Sequence, residues 1–414
     1  MIGSMTRKTG QSEAVQACKM TEMMNSDEPL QGGEPVLHKW WRTVDRWSLS
    51  CAFMLLGIGL VLALAASVPL AERNGLDRFH YVQRHMVFVS LAAMLMLIVS
   101  MMPVRMVRRL GFVGFALTVI ALLLLPAFGT SFGKGAVRWY SLGFASLQPS
   151  EFLKPMFCIA TGWMMAAAHE EGGPPGRIMS FIAMLFVAVL LLIQPDYGQL
   201  ALIFVTWCTM WYISGAPMAV LLVLAGAFVA SGTFAYRLSE HFARRIDAFW
   251  ETSPDPTSQL GYAMDAIKGS GFFGAGVGEG RLKWFLPDAH TDFIIAVAAE
   301  EYGLVLILAI IALFGTIILR SLIRLMRERD PFTRLAGGGI ATLIGAQALI
   351  NMGVAVRLLP PKGMTLPFIS YGGSSTIAVG IAMGLLLALS RTRPQGEITE
   401  ILRARAEPAR MPVS

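Results

Sequence analysis

A short polar segment in front of a long apolar run holds the first residues suited to chemistry. Residues 286–293 read Leu-Pro-Asp-Ala-His-Thr-Asp-Phe, so Asp292 lies at the mouth of a predicted membrane helix. A carboxylate there suits an N-cap or a general base that accepts a proton from a substrate hydroxyl. Glu300 and Glu301 follow inside the helix, where ionisable residues tend to face a cavity or a partner. Helical rotation predicts Glu300 on the face of Asp292 and Glu301 opposite, stabilising a neighbouring helix.

A second polar segment opens another apolar run. Residues 148–155 read Gln-Pro-Ser-Glu-Phe-Leu-Lys-Pro, and the spacing of Glu151 and Lys154 places them on one helix face. They form either an internal ion pair or a phosphate-binding cation with a carboxylate that holds it. Upstream, Arg138 beside Trp139 either adds positive charge to the same loop or anchors it at the membrane interface.

A third segment connects two apolar runs by a tight turn. Residues 194–198 read Gln-Pro-Asp-Tyr-Gly, and proline and glycine explain the turn by themselves. Asp196 is therefore interpreted as a turn residue, with a role in a site left open because its loop is predicted to lie on the same side of the membrane.

The fourth segment, residues 357–375, is rich in glycine, proline and serine and cannot continue a helix. Non-helical backbone at membrane depth is tolerated where it lines a cavity buried in protein, although a purely structural re-entrant turn is equally compatible. Lys362 brings positive charge, and Ser370 and Ser374 are further candidates for substrate binding.

These segments combine one well-placed carboxylate with several cations, which suits an anionic, lipid-linked substrate. Cations neutralise a pyrophosphate leaving group, and the carboxylate accepts a proton. The six histidines show no metal-ligand spacing, and neither a Walker motif nor a G-x-S-x-G elbow is present in the sequence. We predict no protein metal site, although a divalent cation would assist the departure of a pyrophosphate.

The elements that position these residues are predicted from the apolar runs. Apolar residues make up 55% of the 414-residue chain and charged residues 15%. A membrane crossing takes about 20 apolar residues. Ten runs qualify, at about 48–70, 85–103, 107–128, 150–168, 178–194, 198–214, 217–235, 292–319, 335–355 and 372–390. The prediction is an all-α polytopic membrane protein with about ten transmembrane helices and a large, ordered extracytoplasmic loop at 236–291, between helices 7 and 8.

The net charge of +7 is better explained by the positive-inside rule of membrane topology than by nucleic-acid binding, because the basic residues cluster in short loops. The arginine-rich loops predict that both termini are cytoplasmic and that the four polar segments lie on the outer side. Residues 1–46 are predicted to form a disordered cytoplasmic tail, residues 47–391 the membrane domain, and residues 392–414 a second cytoplasmic tail.

Four motifs, read together, resemble a known family. HTDFIIAVAAEEYG, QPSEFLKP, QPDYGQ and LPPKGMTLPFISYGGSS are similar to the SEDS family, which includes FtsW, RodA and SpoVE, over residues 47–391. Lys362, Gly363 and Thr365 look more like FtsW than RodA. Pro361 stands where FtsW proteins commonly carry threonine. The stretch YAMDAIKGSGFFGAGVGEG also departs from the usual family pattern.

The resemblance implies a ten-helix peptidoglycan glycosyltransferase that polymerises lipid II, the undecaprenyl-pyrophosphate-linked disaccharide-pentapeptide. It assigns the essential aspartate to Asp292 and the glutamate and lysine of the fourth helix to Glu151 and Lys154. The implied partners are a class B penicillin-binding transpeptidase of the FtsI type and other divisome proteins. The implied location is the bacterial cytoplasmic (inner) membrane at the division septum.

The resulting hypothesis is an inverting transfer with Asp292 as the general base, assisted by Lys154, Arg138 and Lys362. Three alternatives stay open. The first is a lipid II flippase, which also needs a cationic cavity. The second is a non-catalytic division scaffold. The third is a RodA-type elongation polymerase, with the same chemistry at another cellular site.

Overall fold

A computed structural model describes residues 36–131, 137–143, 145–170, 172–238, 243, 247, 249–250, 259–286, 288–360 and 363–392 of the chain. The chain divides into two units, residues 1–43 and 44–414. In the first unit, helix α1 (Val36–Thr43) lies within the predicted N-terminal tail. The remainder of that tail to residue 35, and residues 393–414 of the C-terminal tail, lie outside the described residues, so their disorder stays a prediction.

Each of the ten predicted apolar runs corresponds to one helix in the described part of the second unit. The helices are α2 (Arg46–Arg73), α3 (His80–Ser100), α4 (Val104–Phe128), α5 (Pro149–Ala167), α6 (Gly176–Ile193), α7 (Tyr197–Ile213), α8 (Met218–Leu238), α9 (Gln259–Gly269), α10 (Ile294–Met326), α11 (Pro331–Ala355) and α12 (Gly373–Leu389), of which α9 belongs to the long loop. Six of those described (α2, α3, α4, α6, α10 and α11) are long and apolar enough to cross a membrane, and α8 and α12 contain shorter apolar stretches. The all-α polytopic membrane fold is confirmed.

Helices α11 and α12 form the interior of the bundle. Helix α11 packs against α5, α7 and α10, and α12 packs against α3. Both are buried along most of their length, whereas α4 and α8 leave most of their apolar side chains exposed at the surface. A helix that is apolar on all sides is typical of a membrane span, where lipid replaces protein as the neighbour.

A small antiparallel sheet after α4 is absent from the sequence prediction. It consists of β1 (Thr130–Ser131), β2 (Val137–Ser141) and β3 (Ser146–Leu147) in the order β1-β2-β3. Its pairing sets Thr130 against Trp139 and Tyr140 against Leu147. Strands this short give no alternating pattern long enough to recognise. Arg138 belongs to β2 of this sheet, which precedes α5 in the chain.

Where α2 begins and α10 ends, a buried carboxylate connects the two helices. Asp45, directly before α2, accepts hydrogen bonds from Arg320 at 2.9 Å and Arg324 at 3.1 Å, both near the end of α10. Burial raises the pKa of the Asp45 carboxyl, but the hydrogen bonds from Arg320 and Ser48 and the charges of Arg324 and Arg320 together leave that pKa below its ordinary value. These charge-assisted bonds fix the two helix ends to each other.

Helix α10 is interrupted at Gly303, whose φ is 73° and ψ −167°. A turn of the long loop fills the interruption. Two of its N–H groups donate to helix carbonyls, Ala275 to Glu300 at 2.8 Å and Gly276 to Glu301 at 3.2 Å. In return, the loop carbonyls of Gly271 and Phe272 accept from Leu304 and Val305 at 3.2 and 3.3 Å. The loop therefore supplies partners for the backbone groups that the break leaves unpaired.

We expect Gly303→Ala to destabilise the protein, because the glycine backbone conformation is essentially closed to other residues and a Cβ would lie 2.3 Å from the Phe272 carbonyl oxygen. The expected loss is at least about 1 kcal/mol of unfolding free energy. Unfolding of the purified protein in detergent measures it.

The matched control is Gly315→Ala in the same helix, where no atom lies within 4 Å of an added Cβ. A change of this kind in a regular helix is neutral or stabilising by up to about 1 kcal/mol. Equal effects of the two substitutions would contradict the account of the break.

Candidate active site

The predicted motifs meet at one end of the bundle, which we call the loop end. It comprises the described residues of the segments 129–148, 194–196, 286–293 and 356–372, together with the adjoining helix ends. Side chains from α5 and α11 hydrogen-bond to these segments, and Gln199 of α7 hydrogen-bonds to Glu151 of α5. The four motifs are therefore parts of one continuous polar network.

Asp292 lies in the turn before α10 and is partly exposed. The N-cap interpretation is wrong, because the helix begins at Ile294 and Phe293 occupies the cap position. The carboxylate faces the fourth segment: a Cβ added to Gly363 would lie 3.7 Å from Asp292 Oδ2. Gly363 follows Lys362, which itself lies outside the described residues.

Hydrogen bonds to main-chain groups hold the turn that carries Asp292. Ser370 Oγ donates to the Thr291 carbonyl at 2.5 Å and accepts from Leu366 N–H at 2.9 Å. The N–H of Tyr371 donates to the carbonyl of His290 at 2.9 Å. The structure thus gives Ser370, predicted as a substrate contact, a buried place between two segments.

Glu151 and Lys154 form the ion pair that their spacing predicts, with Nζ and Oε2 2.8 Å apart and both side chains buried. Glu151 Oε1 also accepts from Gln199 Nε2 at 2.6 Å, and Lys154 donates to Gln347 Oε1 at 2.9 Å. Partners on α7 and α11 therefore satisfy charges that are costly to bury.

The space beside this pair is small. A cavity of about 10 Å³ is lined by the pair, Gln347 and apolar side chains, Pro367 among them. This is the minimum that one water molecule requires. A phosphate does not fit there. In this conformation, Lys154 is enclosed beside Pro367 of the fourth segment.

Arg138 and Asp196 come together at the turn between α6 and α7. Arg138 donates to the carbonyls of Gln194 at 2.9 Å and Pro195 at 2.6 Å, so it fixes this turn. Asp196 is buried in the turn and accepts from Gln148 Nε2 at 3.4 Å. Burial raises the pKa of Asp196, and the nearby Arg138 charge opposes that rise. The turn position of Asp196 agrees with the sequence interpretation.

Ser374 connects the same region to α12. Its buried Oγ accepts a hydrogen bond from the N–H of Gln148 at 3.3 Å. At the next residue, Ser375 Oγ lies 2.5 Å from Thr365 Oγ1. The start of α12 thus connects the second segment to the fourth.

Glu300 and Glu301 both contact the long loop. Glu300 Oε1 accepts from the N–H of Arg281 at 2.6 Å, and Glu301 Oε1 pairs with the buried Lys283 at 2.6 Å. Both carboxylates therefore bind the long loop, and the shared face of Glu300 and Asp292 stays a prediction.

Four buried polar residues were not predicted from the sequence: Gln199, Gln347 and Asn351 of this network, and Lys283 of the long loop. The signal for Gln347 and Asn351 was available, because buried carboxamides four apart in an apolar helix are uncommon. Among the described residues, no three His, Cys, Asp or Glu side chains are grouped to hold a metal ion. The assisting divalent cation stays an expectation.

Comparison with known proteins agrees with this arrangement. The profile of a family described as "Cell cycle protein", comprising FtsW, RodA and SpoVE, matches residues 46–395. The chain belongs to this family. The resemblance inferred from the four motifs is thereby confirmed, and it covers the whole membrane domain.

Relatives and solved structures give the same result. The probable peptidoglycan glycosyltransferase FtsW of Caulobacter vibrioides is 41% identical over 356 residues, which cover 86% of this chain and 91% of the relative. That of Coxiella burnetii is 33% identical, covering 84% and 96%.

Two solved chains, each 25% identical, are similar over 84% of this chain and 97% of their own length. One, with a TM-score of 0.69, comes from work on "structural coordination of polymerization and crosslinking by a peptidoglycan synthase complex". The other is the rod shape determining protein RodA of Thermus thermophilus, with a TM-score of 0.62. The SEDS-type membrane fold is common to all of them.

We expect Lys154→Met to destabilise the protein by about 3–5 kcal/mol, because it leaves a buried carboxylate without its cation. The double variant Glu151→Gln/Lys154→Met is expected to regain most of that stability. Unfolding in detergent measures both. Wild-type stability of the single variant would contradict the buried ion pair.

Proposed function

We propose that this protein polymerises lipid II into glycan strands during septal cell-wall synthesis. Its family, and relatives named as peptidoglycan glycosyltransferases, support this activity. The observation that carries the proposal is the position of Asp292, at the loop end and facing the Gly363 backbone, within the network that includes Glu151 and Lys154.

The proposed reaction is an inverting transfer. Asp292 removes the proton from the 4-hydroxyl of the acceptor GlcNAc, and that oxygen attacks the anomeric carbon of the donor MurNAc. The bond from this carbon to the pyrophosphate oxygen breaks, and undecaprenyl pyrophosphate leaves with the bonding electron pair. A positioned general base contributes about 10²–10⁴-fold to such a step.

Positive charge at the loop end stabilises the leaving group. Lys362, which precedes Gly363 in the sequence, is the first source we propose. Lys154 of the second segment and Arg138 of strand β2 are the further sources. Lys154 is enclosed in this conformation, so its contact with a phosphate requires that the apolar side chains lining the cavity beside it move.

We expect Asp292→Asn to keep the fold and lose polymerisation by about 100-fold or more, because the amide cannot accept the proton. The assay supplies lipid II to the protein purified with its class B transpeptidase and measures glycan polymer. The matched control is Asp265→Asn, an exposed carboxylate of the long loop, which is expected to leave activity unchanged. Polymer from the Asp292 variant at the wild-type rate would rule out the general base.

The Lys154 variants separate a structural ion pair from a substrate contact. The double variant Glu151→Gln/Lys154→Met is expected to stay inactive although it is folded, if Lys154 binds phosphate. Recovery of polymerisation together with stability would limit the pair to a structural role.

The alternatives lead to different outcomes in the same preparation. A flippase moves lipid II across a bilayer without making polymer. A non-catalytic scaffold would keep binding the transpeptidase, without loss of function, after its charged loop-end residues are replaced. A tagged protein along the side wall, rather than at midcell, would favour a RodA-type elongation enzyme.

We further propose that the loop end faces outward, that both termini are cytoplasmic, and that a class B transpeptidase of the FtsI type is the partner within the divisome. The arginine-rich connection between α10 and α11 supports this orientation. The solved relative studied in a peptidoglycan synthase complex supports the partner.

The orientation predicts which engineered cysteines react with an impermeant thiol reagent added to spheroplasts. Val277→Cys, at an exposed position of the long loop, is expected to react. Arg327→Cys, exposed beyond the other end of α10, is expected to react only after lysis. The reverse pattern would invert the proposed topology.

A further inference from the structure

Helix α11 carries two buried carboxamides, Gln347 and Asn351, each 2% exposed. They are four residues apart and therefore lie one above the other on the same face, about 6 Å apart along the helix axis. Both are directed at the loop end. Their contacts are to residues outside their own helix, which distinguishes them from the Thr342 hydroxyl of α11, which bonds back to a preceding turn.

The two carboxamides bind consecutive carbonyl groups of the fourth segment. Asn351 Nδ2 donates to the Met364 carbonyl at 2.6 Å, and Gln347 Nε2 donates to the Thr365 carbonyl at 3.0 Å. Residues 363–366 are not helical, so their carbonyls need partners from elsewhere in the bundle. One face of α11 thus fixes the path of the backbone there.

Each carboxamide also contacts a residue of the proposed reaction. Gln347 Oε1 accepts from Lys154 Nζ at 2.9 Å, and Asn351 Nδ2 donates to the main-chain carbonyl of Asp292 at 3.2 Å. A single helical turn therefore joins the cation, the carboxylate-bearing turn and the segment between them.

Resting on the proposed function, we infer that Gln347 and Asn351 are positioning residues for the transfer. They set the distance between Asp292 and Lys154 and hold residues 363–366 between the two groups. Neither side chain is required to touch the substrate. Misplacement of reacting groups by about 1 Å costs on the order of 100-fold in rate.

The Asn351 oxygen supports a role beyond stability. Oδ1 is buried and accepts no hydrogen bond within the described part of the chain. An unsatisfied buried acceptor carries a desolvation penalty, so an asparagine serving stability alone is a poor choice for this position. The benefit of Asn351 lies in its Nδ2 group, which donates to the carbonyls of both Asp292 and Met364 and so connects Asp292 to the fourth segment.

The test compares Asn351→Leu and Gln347→Leu with Thr342→Val, in the full chain bound to its transpeptidase. Thr342 lies on the same helix and donates to Gly338 of that helix, at 2.8 Å. We expect kcat for lipid II polymerisation to fall about 100-fold in both leucine variants, with KM within about threefold of wild type. Thr342→Val is expected to retain wild-type kcat.

A conservative variant and hydrogen exchange complete the test. Gln347→Glu keeps an acceptor for Lys154 and is expected to lose less activity than Gln347→Leu. In the leucine variants, the hydrogen-bonded amides of Leu366 and Tyr371 are expected to exchange faster. The amides of α3 are expected to keep wild-type exchange.

Unchanged kcat, or unchanged exchange at Leu366 and Tyr371, would overturn the inference. A fall in kcat that follows lower stability throughout the bundle would also overturn it, because that is the mark of a structural role. If the wild-type complex makes no polymer, the proposed function fails, and hydrogen exchange alone decides whether the two carboxamides hold the segments.

Discussion

Backbone that leaves a helix inside an apolar bundle must find hydrogen-bond partners within the protein, because neither lipid nor water supplies them there. Two regions of this chain meet that requirement in different ways. At Gly303, a turn of the long loop enters the interrupted helix and exchanges main-chain bonds with it. At the fourth segment, Gln347 and Asn351 bind the carbonyl groups from the side. The shape of the loop end depends on both solutions.

The same constraint explains where the charges lie. Buried ionic groups are tolerated when each charge has a counter-charge and further hydrogen bonds. Lys154 has both in Glu151 and Gln347, and Lys283 has Glu301. Asp292 differs, because it is partly exposed and lies in a turn. A base that exchanges protons with a substrate needs this accessibility, whereas residues that shape the site do not.

Much of the fold was predictable from the sequence, since apolar runs of about 20 residues have the length that a helix needs to cross a bilayer. The ion pair of Glu151 and Lys154 followed from local spacing. The break at Gly303 did not, because its hydrogen-bond partners belong to a loop that precedes the helix. The contacts of Glu300 and Glu301 with Arg281 and Lys283 did not follow either, because those partners belong to the same loop. Contacts between distant segments, such as Asn351 with Asp292, require the structure.

The account's central claim is that lipid II reacts at the loop end, between Asp292 and the fourth segment. The most direct measurement is a cryo-electron microscopy structure of the Asp292→Asn variant with its transpeptidase and bound lipid II. The account predicts an acceptor 4-hydroxyl within about 3 Å of the side chain at position 292, with the donor pyrophosphate on the side of Gly363. Lipid II bound with its acceptor hydroxyl away from position 292, or at the opposite end near Asp45, would contradict it.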